Sequence, residues 1–315
     1  MTANMSLSNA PDEDELGRVA GALAVDEAFV EKDWFVIQAI RHLAEAATDD
    51  LKPVFSGGTS LLKGHALIRR FSEDIDFKLA LSADFLGKSQ GQKKTALSAF
   101  KKSLVAGWSG AGFEVTDVEA GSGNAFIRID MDYPSVLDPH PSLRPHIQVE
   151  LSAKPPRLSP IDRPLISFVA QNRRDAAEMT SIPCVDPVET AADKMSAFCW
   201  RMLTRDRDSE KDDPTIIRHL HDLAALEAAA TGSAIFGPLL LDTLVADAGR
   251  GGGALKEMAP KDRLAAMEEK LAADRFYAEE YALFVSGMAF AGEPEIPSFH
   301  QAVEAIGRLS RLLPE

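Results

Sequence analysis

Two acidic residues placed two positions apart are the first candidates for chemistry in this sequence. Asp74 and Asp76 alternate with the apolar Ile75 and Phe77. On a strand, this alternation projects both carboxylates from one face and both apolar side chains from the other. Paired carboxylates beside water favour a cation between them, and hard oxygen ligands suit Mg²⁺ or Mn²⁺, which also take substrate phosphates. The pattern predicts a divalent-metal site, and a half-exposed strand whose charges face solvent is the alternative interpretation.

A pair of glycines stands upstream of these acids. Gly57 and Gly58 follow a predicted strand at residues 53–56 and precede a predicted helix at residues 59–69, which starts with Thr59 and Ser60. Glycine lets a phosphate approach the backbone closely, and the start of a helix offers unpaired N–H groups. The pattern predicts that Gly57, Gly58, Thr59 and Ser60 bind the phosphates of a substrate, and a plain turn is the alternative interpretation.

A third carboxylate extends the predicted metal site. Glu150 alternates with apolar residues at positions 147, 149 and 151. If its strand neighbours that of Asp74 and Asp76, three carboxylates share one face and hold two metal ions. One ion would activate an attacking hydroxyl, and the other would stabilise a leaving pyrophosphate. Asp130 and Asp132 alternate suitably on the preceding predicted strand, so Glu150 is a preference among three acids.

The elements that position these residues fall into two regions. A helix is predicted over residues 14–47 and another over 88–108, with strands at 73–81, 113–118, 125–132 and 146–152 and a further candidate strand at 165–170. After Asp186 the sequence is rich in Ala and Leu at helical spacing. We predict an α+β protein with a disordered tail at 1–13, an α/β domain at 14–183 that carries the acids and the glycine pair, and a helical domain at 184–315.

The two motifs taken together resemble a known family. The sequence Gly-Gly-Thr-Ser-Leu-Leu-Lys at 57–63, followed by Arg-Phe-Ser-Glu-Asp-Ile-Asp-Phe at 70–77, is similar to the AbiEii/AbiGii toxin family of nucleotidyltransferases, which includes the MenT toxins. The residues Glu-Lys-Asp-Trp at 31–34 also resemble that family. The resemblance covers about residues 25–226 and implies a polymerase-β-like nucleotidyltransferase core, a mixed sheet with flanking helices, in which Ser72 joins the substrate-binding residues.

The resemblance also points to residues in the second half. Lys194 and Arg201 are seven positions apart on roughly the same face of a predicted helix and could bind a triphosphate. The resemblance implies that Lys194 is the family's active-site lysine. Asp222 matches the second acid of a family motif that begins with Arg-Asp, whereas His219 replaces the first acid. A surface ion pair with Arg218 is the alternative interpretation of Asp222.

Composition limits the kinds of partner, membrane association and cysteine chemistry that we expect. The net charge of −14 argues against nonspecific binding to a polyanion through overall charge, although a local basic patch could still bind nucleic acid. No stretch approaches about 18 apolar residues without charge, so we predict no membrane span. Cys184 and Cys199 form no metal-binding spacing, and we expect both to be reduced in a cytoplasmic protein.

The resulting functional hypothesis is a metal-dependent nucleotidyltransferase that uses a nucleoside triphosphate. The resemblance implies the toxin of a type IV toxin–antitoxin or phage-defence system, a cognate antitoxin, and the 3′ end of tRNA as the acceptor of the nucleoside monophosphate. Asp74, Asp76, Lys194 and Asp222 are the predicted catalytic residues, and Arg201 is predicted to bind the triphosphate. The alternatives are transfer to a protein or a small molecule, and a nucleotide-binding regulator without catalysis.

Overall fold

The computed structural model of the chain describes residues 7–210, 212–290 and 296–314, which form two compact units. One unit comprises Met1–Ala66 and Phe71–Val185, and the other comprises Leu67–Arg70 and Asp186–Glu315. The short segment from Leu67 to Arg70 therefore belongs with the helices of the second unit, although it lies between two motifs of the first.

The first unit combines helices with a mixed sheet. Its helices are α1 (Glu13–Leu23), α2 (Glu27–Glu45), α3 (Gly57–Thr59), α4 (Ala83–Gly87), α5 (Gln90–Ala111) and α6 (Phe168–Arg173). Its strands are β1 (Leu51–Ser56), β2 (Asp74–Leu81), β3 (Glu114–Gly121), β4 (Phe126–Asp132), β5 (Ile147–Ser152), β6 (Ile161–Leu165) and β7 (Met179–Cys184).

The strands of the first unit form one sheet among the described residues, in the order β3-β4-β5-β2-β1-β7-β6. Strand β2 lies near its centre, antiparallel to β1 and parallel to β5. On one face of β2, Ile75 and Phe77 are almost fully buried, and the ring of Phe77 lies 5.2 Å from that of Phe55. This apolar face fixes the register of β2, since a shift by one residue would bury Asp74 and Asp76 instead.

Helix α2 packs in the core of the first unit. Asp26 caps its start, because the Asp26 carboxylate accepts a hydrogen bond of 2.9 Å from the backbone N–H of Ala28. Its residues from Ala28 to Ile40 are all buried, and these include three charged side chains, Glu31, Lys32 and Asp33. Charged side chains are rarely buried without a partner, so these three require internal ion pairs or hydrogen bonds.

The described part of the second unit is built from helices: α7 (Pro187–Thr204), α8 (Arg218–Thr231), α9 (Phe236–Ala246), α10 (Pro260–Ala273), α11 (Phe276–Met288) and α12 (Phe299–Ser310). Helix α7 starts with Asp186 as its cap and Pro187 at its first position, where the missing N–H of proline costs no hydrogen bond. Its buried residues include Ala191, Met195 and Phe198.

The predicted α+β class, with a mixed sheet and flanking helices, is confirmed. The candidate strand at residues 165–170 is wrong: β6 ends at Leu165, and α6 begins at Phe168. The hydroxyl of Ser167 caps that helix by accepting the backbone N–H of Ala170, at 3.0 Å. Strand β7 lies in a region for which no strand was predicted. The predicted helix over 59–69 is shorter, since its last helical residue is Gly64.

The predicted disordered tail at residues 1–13 is described only in part, because residues 1–6 lie outside the described residues. Residues Leu7–Asn9 form a turn of 3-10 helix, and Asp12 caps α1, which begins at Glu13. The carboxylate of Asp12 accepts a hydrogen bond of 2.9 Å from the backbone N–H of Glu15. In the described part of the chain, no helix combines the length and the apolar composition needed to cross a membrane.

Candidate active site

The centre of the sheet presents the first two predicted acids. The side chains of Asp74 and Asp76 are partly exposed on β2, whereas Ile75 and Phe77 between and beside them are buried. The two carboxylates therefore lie on the face of the strand away from this apolar contact, as the alternation in the sequence predicts. Because β2 is flanked on both sides by other strands, neighbouring strands determine which further side chains share this face.

Strand β5 brings Glu150 to that face. β5 runs parallel to β2, and the register pairs Asp76 with Glu150 and Asp74 with Gln148. The strand adjacency on which the choice of Glu150 depends is therefore present. Asp130 lies one strand further from β2, on β4, where it pairs with Gln148. The register favours Glu150 over Asp130 as the third acid beside Asp76.

The three acids are not gathered into a metal cluster in this structure. Among the residues that the structure describes, no three His, Cys, Asp or Glu side chains lie close enough together to hold a metal ion. Asp74 instead pairs with a cation of the chain, since the guanidinium of Arg144 donates a hydrogen bond to its carboxylate. Metal binding by Asp74, Asp76 and Glu150 thus stays a prediction, supported by the chemistry of the donors and by their common face.

The glycine turn and the acidic strand are in direct contact. Gly57 has a φ of +75°, in the left-handed region that favours glycine. A Cβ atom at this position would lie 1.9 Å from Oδ2 of Asp76 and 2.8 Å from its Cβ. Both the backbone conformation and the close approach of Asp76 therefore require glycine, and the two predicted motifs form one local structure.

Replacing Gly57 tests this contact. We expect Gly57→Ala to destabilise the protein by about 1–3 kcal/mol, because alanine is strained at a φ of +75° and its methyl group must displace Asp76. Thermal unfolding measures the loss. Gly91→Ala in α5 is the matched control, because nothing lies within 4 Å of the added methyl group there. A Gly57→Ala protein as stable as the control would contradict the close contact.

The hydroxyl side chains beside the turn are largely internal. The Thr59 hydroxyl lies 3.1 Å from both the carbonyl oxygen and the hydroxyl of Ser72, and it also contacts the carbonyl oxygen of Asp74. Thr59 therefore holds the start of β2 against the turn. Ser60 is 2% exposed and lies beside Cys184, where burial raises the pKa of the thiol to about 11, although the Ser60 hydroxyl lowers it in part. The predicted phosphate binding by Thr59, Ser60 and Ser72 stays a prediction.

A buried ion pair positions the residue before Asp74. The ammonium group of Lys32 in α2 donates a hydrogen bond to the Glu73 carboxylate. The same carboxylate accepts the backbone N–H of Arg144, at 2.9 Å. Burial lowers the pKa of Lys32, while Glu73 and Asp74 oppose the shift. These bonds fix the entry to β2 and therefore the direction in which Asp74 projects.

A second buried pair fixes the far end of the glycine turn. Nζ of Lys63 lies 2.8 Å from Oδ1 of Asp33, and Oδ2 of Asp33 accepts the backbone N–H of Phe168 at 2.8 Å. Lys63 also lies over the ring of Phe168, 3.7 Å from its centroid. Residue spacing gave no indication of these supports. The available signal was a cluster of charges at 31–33 within an otherwise apolar helical face.

In the second unit, the structure brings Lys194 and Asp222 together. Asp222 is fully buried, and Nζ of Lys194 lies 2.7 Å from its Oδ2. Arg70 forms a bidentate ion pair with the same carboxylate, with Nε 2.7 Å from Oδ1 and Nη2 2.7 Å from Oδ2. Nδ1 of His221 lies 3.5 Å from Oδ1. The interpretation of Asp222 as one half of a surface pair is therefore wrong, and Arg70 is a partner that the sequence analysis did not identify.

The electrostatics of this cluster follow from its two cations and one anion. Burial alone would raise the pKa of Asp222, but Arg70 and Lys194 outweigh that effect and hold the pKa of the carboxyl well below its usual range. Burial lowers the pKa of Lys194; Asp222 opposes this shift, and Arg70 adds to it. Asp222 is therefore ionised at neutral pH, and it compensates two buried positive charges.

The remaining predicted residues of this unit have different surroundings. A guanidinium nitrogen of Arg201 lies 3.7 Å from the carboxylate of Asp213, and its side chain is 36% exposed. His219 is buried, with its ring centroid 6.3 Å from that of Phe198. Burial, and then the charge of Lys194, lower the pKa of His219 well below its ordinary value. His219 is therefore neutral at pH 7 where the family commonly has an acid.

Comparison with known proteins bears on the activity of the whole chain. A family model described as "Nucleotidyl transferase AbiEii toxin, Type IV TA system" matches residues 38–305. No curated protein matches the sequence. Among solved structures, the chain is similar to MenT4, nucleotidyltransferase toxin Rv2826c from Mycobacterium tuberculosis H37Rv, with 17% sequence identity and a TM-score of 0.48 over 95% of this chain and 99% of that one. The family match extends over most of the sequence, and the chain therefore belongs to the AbiEii nucleotidyltransferase toxin family of type IV toxin–antitoxin systems.

Proposed function

We propose that this nucleotidyltransferase moves a nucleoside monophosphate from a nucleoside triphosphate to an acceptor hydroxyl with the help of a divalent cation. The observation that carries the proposal is the contact between the Gly57 backbone and the Asp76 carboxylate, on a strand whose neighbour places Glu150 opposite Asp76. A glycine turn that admits phosphate thus adjoins acids that suit a metal ion.

Asp74, Asp76 and Glu150 would hold Mg²⁺ or Mn²⁺, because carboxylate oxygens are the ligands that these ions prefer. When bound, such an ion polarises the α-phosphate and neutralises charge on the leaving pyrophosphate. We assign Gly57 and Gly58 to the phosphates, because backbone N–H groups at the start of a helix can donate hydrogen bonds to phosphate oxygens. The acceptor hydroxyl releases its proton to solvent, its oxygen bonds to the α-phosphorus, and the bond from that phosphorus to the bridging oxygen of pyrophosphate breaks.

The residues of the second unit enter the proposal through the family. Lys194 resembles the family's active-site lysine, and Asp222 resembles an acid of the family motif, so we assign both to the reaction. Their mutual contact in the structure supports a joint role, since Asp222 holds the Lys194 ammonium group in place at 2.7 Å. We assign Arg201 to the triphosphate on the basis of its charge and its position seven residues after Lys194.

The acceptor that we propose is the 3′ end of tRNA, with inhibition of translation as the consequence and a cognate antitoxin as the partner. Membership of a type IV toxin–antitoxin family supports the antitoxin. The net charge of −14 requires that an RNA acceptor be bound locally, because the overall charge repels a polyanion.

An acceptor screen tests this proposal. The protein is incubated with Mg²⁺ and each α-labelled nucleoside triphosphate in turn, with total RNA and total protein offered as separate acceptors. We expect label in the tRNA fraction with at least one nucleotide, and no transfer from the γ-labelled form, because the γ-phosphate leaves with pyrophosphate. Label in the protein fraction alone would show that the acceptor is a protein and not tRNA. Label in neither fraction would contradict transfer to a macromolecule.

A further inference from the structure

The positively charged side chain of Arg144 pairs with Asp74, one of the predicted metal ligands on β2. Arg144 lies in the proline-containing connection between β4 and β5, at residues 133–146. Its Nη1 donates hydrogen bonds to Oδ1 of Asp74 and, at 2.8 Å, to Oε1 of Gln148. Gln148 is the register partner of Asp74 on β5, so the guanidinium lies over two neighbouring strands of the predicted metal face.

The backbone of Arg144 is held from both sides. Its N–H donates to the Glu73 carboxylate at 2.9 Å, and its carbonyl oxygen accepts a hydrogen bond from the ammonium group of Lys32. The Arg144 side chain, in contrast, is 39% exposed. A fixed backbone with a partly exposed side chain allows the guanidinium to rotate away from Asp74 without a rearrangement of the loop.

A metal ion and the guanidinium would compete for the same carboxylate oxygen. A divalent cation that binds Asp74 displaces a single positive charge from it, and the released guanidinium needs a new anionic partner. Arginine matches phosphate oxygens well, because its planar group donates several hydrogen bonds in a fixed geometry. A nucleoside triphosphate bound at the same metal would bring such oxygens within reach of the displaced side chain.

We propose that Arg144 is an internal counter-ion that pairs with Asp74 in the ligand-free chain and transfers to the triphosphate when metal and nucleotide bind. This inference rests on the proposed function, because it takes Asp74 as a metal ligand. It assigns a triphosphate-binding role to a residue outside both sequence motifs.

Metal binding without nucleotide tests the first half of the proposal. The affinity for Mn²⁺ alone is measured by electron paramagnetic resonance for the unchanged chain and for Arg144→Gln, Arg173→Gln and Asp74→Asn. We expect Arg144→Gln to bind Mn²⁺ about tenfold more tightly, since a charge-assisted hydrogen bond no longer competes for Asp74. Arg173→Gln is the control, because the Arg173 side chain is similarly exposed, at 38%, and its guanidinium pairs with Glu15, which is not a predicted metal ligand.

Binding of inorganic tripolyphosphate in saturating Mn²⁺, followed by calorimetry, tests the second half. We expect Arg144→Gln to bind this probe about tenfold more weakly than the unchanged chain, and Arg144→Lys to recover part of the loss. An Arg144→Gln protein that matches Arg173→Gln in either measurement overturns the inference. If Asp74→Asn binds Mn²⁺ as tightly as the unchanged chain, the metal site of the proposed function fails instead.

Discussion

Asp76→Asn should lower the rate of nucleotide transfer by about a thousandfold or more. The substitution keeps the size of the side chain and so preserves its packing against Gly57, but it removes the negative charge that a metal ligand needs. Loss of residues that merely support a metal ligand costs about 10- to 100-fold, so the loss of a ligand itself should cost more. The measurement is the initial rate of transfer from an α-labelled nucleoside triphosphate at saturating Mg²⁺.

Asp117→Asn is the matched control for this substitution. Asp117 lies on the edge strand β3, where its exposed carboxylate is 3.4 Å from the guanidinium of Arg128. Both substitutions remove one carboxylate from the same sheet, and only Asp76→Asn should slow transfer. Undiminished transfer in the double variant Asp74→Asn, Asp76→Asn would show that the mechanism is wrong.

The identity of the third acid can be decided by the same assay. Glu150 is the register partner of Asp76 on the adjacent strand, whereas Asp130 lies one strand further away and accepts a hydrogen bond of 3.0 Å from Gln148. We therefore expect Glu150→Gln to slow transfer more than Asp130→Asn does. The reverse order would move the third ligand to β4.

The local features of the first unit could be predicted from the sequence. Alternation of Asp74 and Asp76 with apolar residues indicates both a strand and the face that is buried, because the period of two is a property of the strand itself. The adjacency of β2 and β5 could only be stated as a condition, since Asp76 and Glu150 are 74 positions apart. Pairing between strands so far apart in the sequence depends on the whole sheet, and neither strand's own sequence indicates its partner.

The ion pairs that hold the predicted residues in place were harder to predict than those residues themselves. Arg70 and Asp222 are 152 positions apart and form a bidentate ion pair in the second unit. An arginine beside the acidic motif is equally compatible with a surface position, so residue type alone cannot identify its partner. The false strand at residues 165–170 has a local cause: six mostly apolar residues fit a buried strand or a short helix, and Ser167 as a helix cap decides for the helix.

The second large effect concerns stability and the buried cluster around Asp222. Asp222→Asn should destabilise the protein by about 3–5 kcal/mol, because it leaves the charges of Arg70 and Lys194 buried without their anion. Thermal and denaturant unfolding of the full chain measure this loss. Glu227→Gln on the same helix is the control, since the pair of Glu227 with Arg308 is partly exposed and should contribute at most about 1 kcal/mol.

The pH dependence has a definite sign. The pKa of Asp222 in the folded protein lies well below its usual range, so its carboxylate stabilises the fold above the ordinary aspartate pKa of about 4. That contribution falls as the pH drops from about 4 through the lower pKa of the folded state. The difference in stability between Asp222→Asn and the unchanged chain should therefore be constant at neutral pH and shrink only below about pH 4.

The substitution Lys194→Met distinguishes a structural role of Lys194 in this cluster from a role in the transfer reaction. Removing Lys194 leaves Asp222 paired with Arg70 through two hydrogen bonds of 2.7 Å, so one anion still faces one cation. The stability loss should accordingly be smaller than for Asp222→Asn, which leaves two cations without an anion. If transfer nevertheless falls by orders of magnitude in a Lys194→Met protein that stays folded, the ammonium group acts in the reaction. A transfer rate that merely follows the loss of stability would restrict Lys194 to a structural role.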